Sequence, residues 1–282
     1  MAPTVSIGLT VGRDATHLGA AIDSILAQSF DDLELVIADA GSAEPAEALG
    51  REAAARDRRV RYHRARSGAG SANASNLAFA LSRGRLYVRA TPDDVFDRSF
   101  VARCVAALDQ RPDAVAAYTG ATIVDDRGHL VGRCGELAGS WDATRAGRRI
   151  RPLLDASASD PAVCVARREV LEGVSLPGLV HGWERALLVL LALHGPFVEV
   201  PEVLRERRVR LAGTAAWTGP TGSNGEIVSP WRMLEELGGA VAAAPVGRVG
   251  RLCALYELAR WSCRPSPRLT TGPDVALRLL PG

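Results

Sequence analysis

The sequence predicts an α/β protein with a doubly wound, mainly parallel sheet flanked by helices and followed by a C-terminal helical extension. Three observations predict this class. Short apolar runs rich in β-branched residues alternate with amphipathic stripes of helical period as far as Gln110. The connecting segments are short and rich in turn-forming residues. Finally, 282 residues with 47% hydrophobic and 23% charged side chains are typical of a globular protein with a sizeable core.

Strands and helices alternate regularly in the first part of the chain. The predicted strands cover residues 5–11, 33–38, 60–63 and 86–90, and the predicted helices cover residues 18–26, 45–56, 72–82 and 98–110. In the first helix Leu18, Ile22 and Ile25 recur at helical spacing and form one apolar stripe. Each strand is therefore expected to be joined to the next through a helix, as in parallel sheets.

The second part is less regular. Its predicted strands cover residues 116–124, 129–133, 162–166 and 197–200, and its predicted helices cover residues 167–172, 182–194, 230–242 and 246–261. The first two strands flank a turn at Asp125–Gly128, which predicts a hairpin. Residues 139–160 are polar and rich in Arg, which predicts a surface loop or a weak helix, and residues 213–229 predict a loop.

Composition and charge exclude several classes of protein. The formal charge is +2 and the 34 basic residues, all Arg, are dispersed, so nothing indicates a nucleic-acid-binding protein. The longest apolar run, residues 186–193, is far shorter than the roughly 20 residues of a membrane helix. No signal peptide is evident. Five cysteines without a CxxC pair predict reduced thiols, hence a cytoplasmic protein, peripheral to a membrane at most.

Two adjacent carboxylates, Asp93 and Asp94, follow the predicted strand that ends at Ala90. Open α/β sheets bind ligands in the crevice beyond their strand ends, and Mg²⁺ is typically held by one or two carboxylates plus substrate phosphates. The segment therefore suggests a metal–diphosphate site. Pro92 and the aspartates are equally common in solvated turns, so the turn remains the alternative.

The order of these elements and motifs resembles the family-2 glycosyltransferases with the GT-A fold, particularly the spore-coat polysaccharide type. The resemblance covers about residues 4–212. Its motifs are Val5–Thr10, Asp23–Phe30, Leu33–Ser42 with Asp39-Ala-Gly-Ser, Arg59–Tyr62, Ala72–Asn76 and Gly84–Asp94. The resemblance implies an inverting transferase that moves a sugar from a nucleoside-diphosphate sugar, with UDP or dTDP favoured, to a hydroxyl acceptor.

The resemblance also implies roles for residues of the donor side. The residues implied in nucleotide binding are Thr10, Val11, Arg13, Asp39, Asn76 and Thr91. Asp39 matches the acid that contacts the base, although an Asx-turn before Gly41 would equally explain it. Asp93 matches the ligand of a Mn²⁺ or Mg²⁺ ion that would neutralise the diphosphate. Thr91 stands where the family's first aspartate would be, which weakens one metal or ribose contact.

On the acceptor side, the resemblance implies Glu184 as the general base, beside Trp183. A Glu in a first helical turn is also favoured by the helix dipole. The remaining candidates for acceptor or phosphate contacts are Asp94, His181, Arg208 and Arg210. Many relatives have a His near Arg210; an arginine cannot bind a metal, but its planar fork suits a diphosphate. A lone His such as His181 is more often structural.

The predicted organisation has three parts: residues 1–115 as the nucleotide-sugar half, residues 116–212 as the acceptor-binding and catalytic half of the same GT-A domain, and residues 213–282 as a loop plus C-terminal helices. The acceptor is expected to be a glycan, a lipid-linked molecule or a natural product, in polysaccharide or antibiotic biosynthesis. The last predicted helix, residues 246–261, is expected to pack on the core or on a second subunit, and contact with a membrane is the alternative. The alternative functions are a non-catalytic sugar-nucleotide-binding relative and, on Gly68-Ala-Gly70 alone, a nucleotide-dependent oxidoreductase.

Overall fold

The computed structural model describes residues 2–12, 15–65, 70–134, 146–155, 163–173, 183–209, 237–239, 241–242 and 244–262. The strands in these ranges are β1 (Val5–Val11), β2 (Leu33–Asp39), β3 (Val60–Arg64), β4 (Leu86–Ala90), β5 (Asp94–Phe96), β6 (Ala116–Val124), β7 (Leu130–Cys134), β8 (Val165–Arg167) and β9 (Phe197–Arg208). The main helices are α1 (Leu18–Leu26), α2 (Glu44–Arg56), α3 (Gly70–Leu81), α4 (Phe100–Gln110), α5 (Ala146–Asp155), α6 (Arg168–Gly173), α7 (Trp183–His194) and α8 (Arg248–Ser262).

All nine strands join one sheet with the order β3-β2-β1-β4-β8-β6-β9-β5, and β7 pairs with β6. Strands β3, β2, β1 and β4 are mutually parallel. Strand β8 is antiparallel to both β4 and β6, so β6 runs in the same direction as β4. Strand β9 is parallel to β6. The C-terminal ends of β1, β2, β4, β6 and β9 therefore lie at one edge of the sheet, which we call the carboxyl edge. The predicted mainly parallel α/β fold is confirmed.

Helices cover both faces of the sheet. Strands β1 and β2 are buried along their whole length, which their nearly continuous apolar sequences require. One face packs on α1, α2 and α4, where Ile7, Leu35 and Phe100 belong to a single apolar cluster. On the other face, α3 packs on β1 and β2, and α7 buries Leu187–Leu193 with Tyr118 of β6. The core thus fixes the strand ends that form the carboxyl edge.

Strand β9 is longer than the sequence predicts. The pattern predicts a strand over residues 197–200, and Pro201, which has no N–H to donate, follows it. The strand instead continues to Arg208, and its pairing with β6 shifts register on either side of Gly120. These irregularities accommodate the proline within the pairing. The extension carries the C-terminal end of β9 to the carboxyl edge, and it also pairs with β5, a short strand that the sequence pattern did not predict.

Helices α5 and α8 pack against each other. Residues 146–155, within the segment predicted as a loop or a weak helix, form α5, which packs on α7 and α8. Helix α8 packs through Ala254 and Leu258, whereas Leu252 is 67% and Tyr256 66% exposed. Its contact with a second subunit or a membrane surface stays a prediction. Across the described ranges, no helix combines the length and the apolar character needed to cross a bilayer.

Candidate functional site

The carboxyl edge gathers predicted site residues from four strands. Thr10 and Val11 end β1, Asp39 ends β2, and Arg208 ends β9. The segment 91–94 follows β4 and leads directly into β5. Carboxyl ends of parallel strands are where open α/β sheets bind ligands. Residues separated by up to almost 200 positions in the sequence therefore lie along one edge of the sheet.

Asp39 is fully buried, and both of its carboxylate oxygens accept hydrogen bonds. The backbone amides of Gly41 and Ser42 donate to Oδ1 over 2.8 and 2.6 Å, and the hydroxyls of Ser42 and Tyr62 donate to Oδ2 over 2.8 and 2.6 Å. Burial by itself would raise the pKa of Asp39, but these hydrogen bonds outweigh it and hold the pKa below its usual value. The Asx-turn anticipated from the sequence is present, with Gly41 at φ +101°.

The Tyr62 hydroxyl tests how much this network stabilises the fold. We expect Tyr62→Phe to lower the free energy of unfolding at pH 7 by about 1.5–3 kcal/mol, because a hydrogen bond to a charged acceptor is lost. A carboxyl with a lowered folded-state pKa stabilises the fold above its unfolded value of about 4, and this contribution is lost as the pH falls through the folded-state pKa. Urea unfolding at pH 7 and at several pH values below about 4 should therefore show that the difference in unfolding free energy between Tyr62→Phe and the wild type becomes smaller as the pH falls.

The exposed Tyr256 on α8 provides the matched control, since its side chain is 66% exposed. Tyr256→Phe should change the free energy of unfolding by less than about 0.5 kcal/mol at either pH. A Tyr62→Phe deficit of equal size at both pH values would mean that the loss comes from packing and not from the Asp39 carboxylate.

The two residues that end β1 lie on opposite faces of the sheet. Val11 pairs in register with Asp39, so these two residues share a face, while Thr10 points to the other face, towards α3. Thr10 is 6% exposed, and its Oγ1 has no hydrogen-bond partner among the described residues. A buried hydroxyl without a partner is costly, which makes Thr10 Oγ1 a candidate to bind a ligand group.

The segment 91–94 is held by a buried ion pair. Arg205 of β9 donates from Nη1 to Asp94 Oδ1 over 2.9 Å, and the two side chains are only 1% and 2% exposed. The other Asp94 oxygen, Oδ2, accepts from the backbone amide and the hydroxyl of Thr91 over 3.1 and 2.7 Å. Asp94 thus closes the turn that presents Asp93. This geometry favours a structural role for Asp94 over the predicted contact with acceptor or phosphate.

Asp93 is the exposed carboxylate of this segment. The surrounding protein nevertheless removes enough water to raise the pKa of Asp93, and the negative charges of Asp94 and Asp126 add to this rise. His17 and Arg207 act in the opposite direction. A bound cation would relieve the unfavourable charge on Asp93, so this position suits a cation ligand.

A divalent cation fits the donor set at Asp93 as a single-carboxylate site. Within the described residues no group of three or more His, Cys, Asp or Glu side chains is arranged to hold an ion. Mg²⁺ commonly uses one or two carboxylates and takes its remaining ligands from water and substrate phosphates. Asp93 would therefore hold the ion together with a ligand's phosphate oxygens.

Three residues near Asp93 were missed by the sequence reasoning: His17, Arg205 and Arg207. Arg208 was predicted, but its partner was not: Nη1 of Arg208 donates to Nδ1 of His17 over 2.8 Å. These contacts depend on the extended β9, which the sequence pattern ended at Val200. The only available signal was the unusual density of arginines at residues 205–210.

The other predicted residues are described only in part. Asn76 lies in α3 and is partly buried. Trp183 and Glu184 begin the first turn of α7. The structure describes the backbone of this turn but not its side chains. Helix α7 ends at His194, and Gly195 and Pro196 connect it to the start of β9. The predicted residues Arg13, His181 and Arg210 lie outside the described residues, as does the glycine loop at Gly68.

Comparison with known proteins adds a family and a fold. A model of the family described as glycosyl transferase family 2 matches residues 10–174. An uncharacterized glycosyltransferase of Rickettsia felis is 27% identical over 127 residues, which is 45% of this chain and 21% of the relative. The uncharacterized protein y4gI of Sinorhizobium fredii is 33% identical over 119 residues, 42% of this chain and 13% of the relative. The matched stretch is thus a minor part of these relatives.

Two solved structures share the fold. S. aureus TarS 1–349 superimposes with a TM-score of 0.67 at 12% identity, covering 93% of this chain and 72% of that one. The mannosyltransferase PcManGT from Pyrobaculum calidifontis, in complex with GDP-Man and Mn²⁺, gives a TM-score of 0.54 at 17% identity, covering 94% and 82%. These similarities confirm the predicted GT-A architecture.

Proposed function

The chain belongs to glycosyl transferase family 2, and on this premise we propose that it transfers a sugar from a nucleoside-diphosphate sugar to a hydroxyl acceptor. The observation that carries the proposal is the convergence of Thr10, Asp39, Asp93 and Arg208 at the carboxyl edge. Proteins of similar fold bind such donors: TarS forms a complex with UDP-GlcNAc, and PcManGT forms one with GDP-Man and Mn²⁺.

Residues 1–115 would bind the donor. The nucleotide would lie over the ends of β1 and β2, with its base near Asp39. A carboxylate has about four acceptor positions, and four donors already contact Asp39. The N3–H of a uracil-type base would therefore have to displace the hydroxyl of Tyr62 or of Ser42 from Oδ2. This contact favours UDP or dTDP as the donor nucleotide. Thr10 Oγ1 would gain a partner in the same complex.

The diphosphate would lie beside Asp93. A Mn²⁺ or Mg²⁺ ion on this carboxylate would supply Lewis-acid stabilisation of the departing diphosphate. Asp94 and Arg205 would keep Asp93 in place, and Thr91, whose hydroxyl donates to Asp94, would lie beside the nucleotide. Arg208 and, outside the described residues, Arg210 would add positive charge at the end of β9.

Residues 116–212 would bind the acceptor and supply the base. Glu184, in the first turn of α7, would take the proton of the acceptor hydroxyl as its oxygen attacks C1 of the sugar. The new C1–O bond forms on the face opposite the breaking C1–O–phosphate bond, whose electron pair leaves with the nucleoside diphosphate. The anomeric configuration is therefore inverted. Residues 213–282 would complete the acceptor side or a dimer contact.

Titration calorimetry of the protein with UDP, dTDP, GDP and NADH, each with and without Mn²⁺, tests this proposal. We expect one diphosphate to bind more tightly with Mn²⁺, and Asp93→Asn to remove the metal-dependent gain of about 10-fold or more, because a neutral amide is a poor ligand for a hard cation. Asp109→Asn, which changes an exposed carboxylate paired with Arg85, should leave binding unchanged.

The outcomes separate the candidate functions. Binding of NADH but of no diphosphate would contradict the transferase proposal. Binding of a nucleotide sugar without transfer or hydrolysis of the sugar would favour the alternative function, a non-catalytic sugar-nucleotide-binding protein. The presence of Thr91 where the family has an aspartate is consistent with that alternative.

A further inference from the structure

We propose that His17 is a positioning residue for the donor diphosphate: it accepts a hydrogen bond from Arg208 and so holds that guanidinium ready for phosphate oxygens. The proposal rests on the proposed function and deepens it. Neither the sequence pattern nor the family resemblance gave His17 a role. It is carried by the contacts of Arg208 and by the position of both residues at the carboxyl edge.

The backbone of Arg208 is fixed against the Asp93 segment. Its amide donates to the carbonyl oxygen of Asp93 over 2.9 Å, and the next amide, of Val209, donates to the carbonyl oxygen of Val124 over 2.9 Å. Arg208 is therefore held between the turn that presents Asp93 and the end of β6. A phosphate group on an ion bound at Asp93 would lie within reach of this side chain.

Among the described residues, the guanidinium of Arg208 is held on two sides and keeps further N–H donors. Nη1 donates to His17 Nδ1 over 2.8 Å, and Nη2 donates to Glu206 Oε1 over 3.2 Å. Nε is buried and has no partner among the described residues. An arginine has five N–H donors, so donors remain for a ligand. About a fifth of the side chain, 21%, stays exposed.

His17 suits this role because its contact constrains the proton on the ring. The arginine can only donate, so Nδ1 of His17 must accept and a neutral ring must carry its proton on Nε2. His17 is the residue immediately before α1, and its partner Arg208 donates its backbone amide to the carbonyl oxygen of Asp93. It thus links the loop after β1, the Asp93 segment and the end of β9.

The charges at the site call for such an arginine. A nucleoside diphosphate placed beside Asp93 adds negative charge next to the Asp93, Asp94 and Asp126 carboxylates, whose effect on the pKa of Asp93 the charge of Arg207 does not outweigh. A divalent ion offsets only part of it. Arg205 is committed to Asp94. The guanidinium of Arg208 can donate two parallel hydrogen bonds to a pair of phosphate oxygens, and these bonds fix the orientation of the phosphate group. Part of the affinity for the diphosphate is therefore expected to survive removal of the metal.

The test is calorimetric titration of the whole chain with the nucleoside diphosphate that binds and with its monophosphate, in Mn²⁺ and in EDTA. We expect His17→Ala and Arg208→Ala each to weaken diphosphate binding by about 10-fold. Monophosphate binding should change by less than about 2-fold, since the lost contact is to the second phosphate. In EDTA, the remaining diphosphate affinity of the wild type should disappear in Arg208→Ala.

Two further variants distinguish positioning from folding. His17→Asn keeps an acceptor near the place of Nδ1 and should recover most of the affinity, whereas Arg208→Lys loses the fork and should not. His129→Ala changes a histidine that is 71% exposed in the β6–β7 hairpin and should have no effect. Equal weakening of both nucleotides, or no rescue by His17→Asn, would overturn the role of His17. Absence of any diphosphate binding by the wild type would instead overturn the proposed function.

Discussion

Removing the Arg205 guanidinium is expected to lower the free energy of unfolding by about 3–5 kcal/mol. The Arg205→Ala variant leaves the carboxylate of Asp94, which is 2% exposed, without its ionic partner. A buried charge that loses its partner keeps its desolvation cost and loses the attraction that offset it. Asp94→Ala removes the carboxylate that pairs with this guanidinium, which is 1% exposed, and should also destabilise the fold.

Differential scanning calorimetry or urea unfolding measures this effect directly. At roughly 2–4 °C per kcal/mol, the unfolding midpoint should fall by roughly 6–20 °C. The matched control is the exposed pair Arg85–Asp109, whose side chains are 55% and 57% exposed at 3.6 Å. Asp109→Ala should cost no more than about 0.5–1 kcal/mol, because exposed ion pairs are screened by water.

A double variant separates the charges from the shape of the site. Replacing both partners by apolar residues, as in Asp94→Leu with Arg205→Met, should recover much of the stability lost in either single variant. It should not recover ligand binding, because Thr91 then loses its acceptor and the turn that presents Asp93 is no longer held. If Arg205→Ala unfolds like the wild type, the ion pair contributes little and the turn must be held by other contacts.

The part of the site nearest to the regular strands could be predicted from the sequence. The apolar runs of β1 and β2 indicate where each strand ends, and the pattern places Asp39 directly after the predicted strand 33–38, where it is the last residue of β2. Asp93 follows for the same reason, because it lies just beyond β4. Local periodicity and turn chemistry are enough to place such residues.

The contacts that hold the site could not be predicted in this way. Arg205 meets Asp94 across 111 positions of sequence, and Arg208 meets His17 across 191. Both contacts require β9 to continue past Pro201, where local rules end a strand. The pairing of β9 with β6 and β5 overrides that local preference, and no window of a few residues contains this information.

Loss of the Glu184 carboxylate is expected to have the largest effect on activity. Glu184 is the only acidic residue in α7, and it lies in the first turn of this helix. In the proposed mechanism its carboxylate accepts the proton of the attacking hydroxyl. Positioned general bases contribute typically about 10²–10⁴-fold, so Glu184→Gln should lower kcat by that factor.

The measurement is release of nucleoside diphosphate from the donor identified by titration, with a panel of hydroxyl acceptors and with water alone. Glutamine preserves the size of the side chain and removes only its basicity. Donor binding in Glu184→Gln should therefore stay within about 2-fold of the wild type, as expected for a group whose contribution arises in the transition state. The exposed Glu52 on α2 supplies the control, since Glu52→Gln should leave both kcat and binding unchanged.

The pattern across variants decides what Glu184 does. A base that acts only in transfer predicts normal unfolding, normal donor affinity and slow turnover in Glu184→Gln. A glutamate that merely favours the N-terminus of α7 through the helix dipole predicts a stability loss of about 0.3–1 kcal/mol with turnover preserved. Asp93→Asn should behave differently from Glu184→Gln, because it should lose the metal-dependent part of donor binding. If both variants slowed turnover only through weaker donor binding, Glu184 would belong to the donor site, and the base would have to be sought outside α7.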